Sequence, residues 1–281
     1  MGVNYLPQKA DFGFDASVSP RWQMVPVGKT RILNVSGAAG MTLRIADRTL
    51  LSASVKGGGA KLVLTLEGLK AGKTLVEWVP KSGAPLRSNS LEVSVKAEKR
   101  IRTAFHYVKD NAGHETARKQ ADLPALISSI NAILTPQSNV SLESKSAGEV
   151  TVPQNLGPVV RFSSHLTGAP HNVPIAEHEW DDVTKFSDAS ADFNVFFVWE
   201  YEQDATPNVN NVRAGTIAGE KNCLADDVIK NTAETLAHET IHLLGIGPHS
   251  GNASHLISSG AVRTGRKISR DQANIINPSG T

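Results

Sequence analysis

His238-Glu239-Thr240-Ile241-His242-Leu243-Leu244-Gly245-Ile246-Gly247-Pro248-His249-Ser250 is the stretch around which the rest of this chain is read. Two histidines four positions apart on a helix lie one turn apart on the same face, so both imidazoles reach a common metal ion. Glu239 lies about 100° further round the helix than His238, where it can face a water molecule at the metal without ligating the ion. On the same wheel, Ile229, Ala233, Leu236, Leu243 and Leu244 gather opposite the histidines and form an apolar stripe. Asp226 or Asp227 is the expected N-cap, and Gly245 stands where a helix C-terminus favours a left-handed residue. The chain can then turn back and bring His249 toward the metal. The expected ligands are His238, His242 and His249, with Glu239 as general base.

HETIHLLGIGPHS resembles the metzincin zinc-peptidase signature HExxHxxGxxH, with a serine after the third histidine as in its matrixin-like members. The resemblance implies a bound Zn²⁺, metal-assisted hydrolysis of peptide bonds, and an edge strand over the cleft that pairs with an extended protein or peptide substrate. Two departures stand out. Pro248 occupies the family's third histidine position and His249 follows one residue later, an insertion that the Gly247-Pro248 turn can absorb. The family's methionine turn has no methionine here, since the three in the chain are Met1, Met24 and Met41. Ser254-His255-Leu256-Ile257-Ser258 is the matching segment, with Ile257 in the methionine's place and His255 as a rival third ligand. A glutamate third ligand supplied from further along the chain is excluded, because no glutamate follows Glu239. Asp271, the one downstream aspartate, falls in the first turn of a C-terminal amphipathic helix whose expected core face is Ile268, Gln272, Ile275 and Ile276.

Residues 100–281 fit the order of that family. A strand is expected at 101–108, a helix at 116–134 interrupted at Pro124, and a second strand region at 140–152. A strand over 192–201 is apolar enough to be buried on both faces. A short strand at 214–219 precedes the zinc helix. His165, His171 and His178 lie in a polar loop over 163–180 whose spacing matches no metal motif.

Residues 1–98 read as all-β, with short strands at 30–35, 41–45, 60–66, 73–79 and 90–95 between Gly-rich or polar turns, a spacing that suggests a β-sandwich. Residues 64–74 resemble the late strands of bacterial Ig-like domains, which implies a spacer or docking module with a partner of its own. The charged junction at 96–100 marks the boundary. The expected fold class is therefore α+β: an Ig-like β-sandwich over 1–98 and a metzincin-like peptidase domain over 99–281.

The chain has 281 residues and a net charge of +2, which gives no reason to invoke nucleic acid or an anionic membrane. No run of about 18 apolar residues is present, so no membrane span is expected. Cys223 is the one cysteine, expected as a small core residue, and no intrachain disulfide can form. The N-terminus has no basic region followed by an apolar run, so a cytoplasmic location or export by a signal-independent route is expected. Two alternatives accompany the zinc endopeptidase. One is a metzincin-like scaffold with little or no turnover that acts as a binding protein. The other is a secreted bacterial toxin or effector protease.

Overall fold

The computed structural model describes residues 2–9, 12–59, 61–82, 84, 86–161, 179–202, 213–216, 220–227, 229 and 231–279. The chain is a mixture of helix and strand dominated by sheet. It divides into two compact units, the first Met1–Lys99 with Ile133–Ser141 and His249–Thr281, the second Arg100–Ala132 with Leu142–Pro248. Residues 133–141 and 249–281, which sequence assigned to 99–281, thus cluster with the first unit.

Among the described residues, Met1–Lys99 of the first unit holds nine strands: β1 (Asn4–Pro7), β2 (Phe14–Asp15), β3 (Arg21–Pro26), β4 (Thr30–Ser36), β5 (Thr42–Ile45), β6 (Leu51–Gly58), β7 (Lys61–Gly68), β8 (Gly72–Val79) and β9 (Ser90–Lys96). They form two sheets, ordered β1-β4-β7-β6 and β2-β3-β9-β8-β5. Alternation along the strands sends Leu33, Val35, Leu64 and Leu66 of the first sheet and Val76, Leu91, Val93 and Val95 of the second into one core. Five of these strands were expected, while β1, β2, β3 and β6 were not. β3 pairs in parallel with β9, and Trp22 Nε1 donates to Ser94 Oγ at 2.9 Å across that pair.

The second unit is built on a five-stranded sheet ordered β11-β10-β13-β16-β15, from β10 (Lys99–Asp110), β11 (Val140–Val152), β13 (Phe193–Val198), β15 (Ala214–Thr216) and β16 (Asn222–Asp226). A small parallel pair joins β12 (Val160–Arg161) to β14 (Tyr201–Glu202). β10, β13 and β16 run parallel, and all six residues of β13 are buried, as a central strand covered on both faces requires. β15 runs antiparallel to β16 and forms one edge.

Helix α1 (Leu123–Ser138) follows a single 3₁₀ turn. Pro124 lies in its first turn, where no amide is required, so it starts the helix and does not interrupt it. Helix α2 (Glu179–Thr184) buries Trp180 and Val183. Helix α3 (Thr232–Leu243) carries the histidine motif and packs beside β15. Among the described residues, no helix is long and apolar enough to cross a membrane.

The last helix, α4 (Arg270–Ile276), belongs to the first unit and begins with a capping box between Ser269 and Gln272. Ala273 and Ile276, three positions apart on one face, are its buried apolar residues, and Ile268 is buried just before its N-cap; Ile275, expected inside, lies off that face and is exposed. Asp271 is exposed in the first turn, as expected. Lys96, read as part of a charged junction, is fully buried: its Nζ donates to Asn274 Oδ1 at 3.0 Å, to Ser279 Oγ at 3.1 Å and to the Asn277 carbonyl. Desolvation, with Lys73 nearby, lowers its pKa to about 7.

Candidate metal centre

The helix that carries the motif starts later than the sequence suggests. β16 extends through Asp226, so neither Asp226 nor Asp227 can cap α3; the N-cap is Asn231, whose side chain makes no capping bond. Asp227 instead accepts from Thr116 Oγ1 and the Ala117 amide, both at 2.6 Å. Leu236, Ala237 and Ile241 are fully buried, whereas Leu243 and Leu244 are only half-buried, so the buried stripe lies closer to the middle of the helix than the wheel placed it.

The C-terminus of α3 agrees with expectation. Gly245 adopts φ +106°, its amide donates to the His242 carbonyl at 3.0 Å, and the Ile246 amide donates to the Ile241 carbonyl at 3.3 Å. This pair of bonds is a Schellman motif, which needs a residue without a Cβ at the left-handed position. The reversal has a chemical consequence. It brings the Ile246 carbonyl 2.7 Å from His242 Nδ1. A carbonyl only accepts, so the proton sits on Nδ1 and the Nε2 lone pair is left for a metal.

His238 Nε2 lies 3.0 Å from His242 Nε2. Two nitrogens on one tetrahedral zinc lie about 3.3 Å apart, so the pair is close to ligating separation. His249, exposed in the turn after α3, completes a group whose ligand atoms all lie within 4.8 Å of one another. Three histidines can therefore hold a metal ion here. Burial pushes His242 down, against a smaller opposing effect of the Ile246 carbonyl, and this favours the neutral imidazole that a metal binds. His255 is not in the group: its Nδ1 is 3.0 Å from Ser250 Oγ, and its backbone bridges Lys267.

Glu239 is buried, and its Oε2 accepts from Thr216 Oγ1 on the edge strand. Cys223, opposite Thr216 in the β15–β16 register, is fully buried. Burial, with a smaller effect of Glu239, pushes its thiol well up, so it is a neutral core residue as expected. The same two causes, in the same order, raise the Tyr201 phenol. Ile257 is buried, and its carbonyl accepts from the Ser250 amide at 3.3 Å. His165, His171 and His178 lie outside the described residues.

The bond of Thr216 to Glu239, the bonds of Asp227 to residues 116 and 117, and the Ile246 carbonyl at His242 were not expected from the sequence. Only the last had a local signal, a glycine-ended helix whose reversal must point a carbonyl back at the final turn.

No protein-family model matches the chain, and no curated protein matches it. Among solved structures it is similar to metalloproteinase-II from Bacteroides fragilis, at 10% identity over 98% of this chain and 91% of that one, with a TM-score of 0.33. It is also similar to domains 5-6 of the S-layer protein SbsC, at 17% identity over 42% of this chain and 57% of that one, with a TM-score of 0.24. Domains 4 and 5 of the same protein match at 15% identity over 33% and 53%, with a TM-score of 0.22. The chain spans little more than half the length of these two S-layer structures. Likeness at this level assigns no activity.

Proposed function

We propose that the chain is a zinc-dependent endopeptidase of the metzincin type, preceded by an Ig-like β-sandwich that serves as a docking module. The observation that carries this is the joint placement of His238, His242 and His249 in one group with Glu239 adjacent on the same helix. Three imidazole donors with no carboxylate among them suit zinc, and three protein ligands leave one position open for chemistry. When bound, zinc would polarise a water and stabilise negative charge developing on the scissile carbonyl oxygen.

The chain's own residues supply the rest. Glu239 Oε1 takes the proton from the attacking water as the water oxygen bonds to the carbonyl carbon. It then passes that proton to the amine nitrogen as the C–N bond breaks. The Ile246 carbonyl holds the His242 ring in the ligating tautomer. β15, at the edge of its sheet, offers main-chain groups to an extended protein or peptide, which would bind by strand addition with little sequence demand. A net charge of +2 gives no electrostatic reason for a nucleic-acid partner.

The test is cleavage of an unfolded protein substrate by the wild type and by Glu239→Ala. Loss of cleavage in the mutant with its zinc retained supports the reading; equal turnover in the mutant refutes it. The exposure of His249 favours a second reading, a metal-holding scaffold without turnover. Full zinc occupancy with no cleavage by the wild type would select that one.

A further inference from the structure

The edge strand β15 and the carboxylate of Glu239 are joined directly. Thr216, the last residue of β15, donates its hydroxyl to Glu239 Oε2. Glu239 is almost fully buried, so this bond to a charged acceptor forms away from competing water. Threonine suits the position, because branching at Cβ restricts χ1 and holds the hydroxyl in place. The neighbouring residue shows that the strand is seated closely. A Cβ added at Gly215 would lie 3.1 Å from Tyr201 Cζ and closer still to the phenol oxygen. Tyr201 is itself buried, on β14, so it cannot swing aside. Gly215 thus lets β15 rest against Tyr201, and that seat sets where the Thr216 hydroxyl meets the carboxylate.

We propose that Thr216 is a positioning residue for Glu239, latching the substrate-facing edge strand to the general base so that strand placement and proton transfer are coupled. The proposal rests on the endopeptidase reading for its catalytic half. The latch itself is a property of the metal-free chain. A carboxylate on three rotatable bonds loses effectiveness when its orientation spreads, since proton transfer needs hydrogen-bond reach and alignment. Anchoring Oε2 to β15 limits how far the carboxylate can rotate, so the orientation of Oε1 is restricted as well. A peptide that adds to β15 would therefore be held on the same strand that orients the base.

The experiment compares Thr216→Val, Thr216→Ser and Gly215→Ala with wild type in two assays. In the first, peptide hydrolysis is measured with zinc content monitored. Thr216→Val should lower kcat about 10- to 100-fold with KM changed less than about threefold and zinc content unchanged. Thr216→Ser, which keeps the donor, should recover kcat to within about threefold of wild type. Gly215→Ala, which lifts the strand without touching the hydroxyl, should follow Thr216→Val. In the second, amide hydrogen exchange of residues 214–216 is followed in metal-free protein. Thr216→Val and Glu239→Ala should each speed exchange, and the double variant should be no faster than either. Wild-type kcat in Thr216→Val, or failure of Thr216→Ser to rescue it, overturns the positioning role. Additive exchange effects in the double variant overturn the latch. Non-additive exchange in a protein with no turnover would sustain the latch while refuting the endopeptidase reading.

Discussion

Replacing Lys96 by methionine should change how the stability of the first unit depends on pH. Lys96 is fully buried at the end of β9, and its three acceptors, Asn274 Oδ1, the Asn277 carbonyl and Ser279 Oγ, are all neutral. Its pKa is lowered from 10.5 to about 7. The sign follows from proton counting. Below pH 7 both the folded and the unfolded chain hold the proton, and Lys96 adds no slope. Between about pH 7 and 10.5 the unfolded chain holds a proton that the folded chain has released, so stability rises with pH. The slope is at most about 1.4 kcal/mol per pH unit. From pH 6 to pH 9 the wild type should therefore gain about 3 kcal/mol relative to Lys96→Met. The absolute effect at one pH is less informative, because methionine also removes a donor from Asn274 Oδ1, which keeps Ser94 Oγ at 3.5 Å, and from the Asn277 carbonyl and Ser279 Oγ, at a cost of about 1–3 kcal/mol for each acceptor left unpaired. The assay is urea denaturation of both proteins at several pH values, followed by tryptophan fluorescence. Trp22 reports on this sheet, since it bonds to Ser94 on β9. Parallel stability curves for the two proteins, or a wild type that weakens relative to the mutant as pH rises, would refute the assignment of a buried, readily deprotonated lysine.

Gly245→Ala should destabilise the protein by about 1 kcal/mol, because φ is +106° there, and should weaken zinc binding by disturbing the Ile246 carbonyl that orients His242. Unchanged metal affinity in a competition titration would separate the Schellman turn from the ligand. Asp15→Ala should cost about 3 kcal/mol, since Asp15 is buried and accepts from Lys267 Nζ, the Arg270 amide and Ser17. Hydrogen bonds and Lys267 outweigh the opposing effect of burial and hold this carboxyl far below its usual range, so its stabilising contribution is full above about pH 4 and is lost as pH falls through the depressed folded-state value. Acid denaturation in which wild type and mutant differ equally at pH 7 and pH 2 would contradict it.

Much of the metal helix was legible because its signals are local. The His238–His242 spacing fixes a shared face, and Gly245 announces the helix end. β4, β7, β8 and β9 were legible from alternation. β3 was not, because Arg21-Trp22-Gln23-Met24-Val25-Pro26 has no alternation and buries Gln23, which its amide bonds to neighbouring carbonyls permit. β6 was missed because most of its residues are exposed, and the alternation of Leu51, Ala53 and Val55 with Ser52, Ser54 and Lys56 is short and runs into Gly57 and Gly58. What sequence could not offer is pairing at a distance. Thr216 and Glu239 meet across 23 positions, and Lys96 meets Asn277 across 181. Lys96 was read as part of a charged junction between domains, whereas acceptors supplied by the C-terminal segment make its burial tolerable. Ile275 shows the converse, an apolar residue left outside because the buried face of its helix is the one set by Ala273 and Ile276.

The central claim is that this chain holds one zinc ion on His238, His242 and His249. Zinc per chain by elemental analysis, in wild type, His249→Ala and His255→Ala, tests it most directly. One zinc is expected in wild type and in His255→Ala, with loss or marked weakening in His249→Ala. Zinc lost only in His255→Ala, or no zinc in wild-type protein prepared with the metal present, would contradict it.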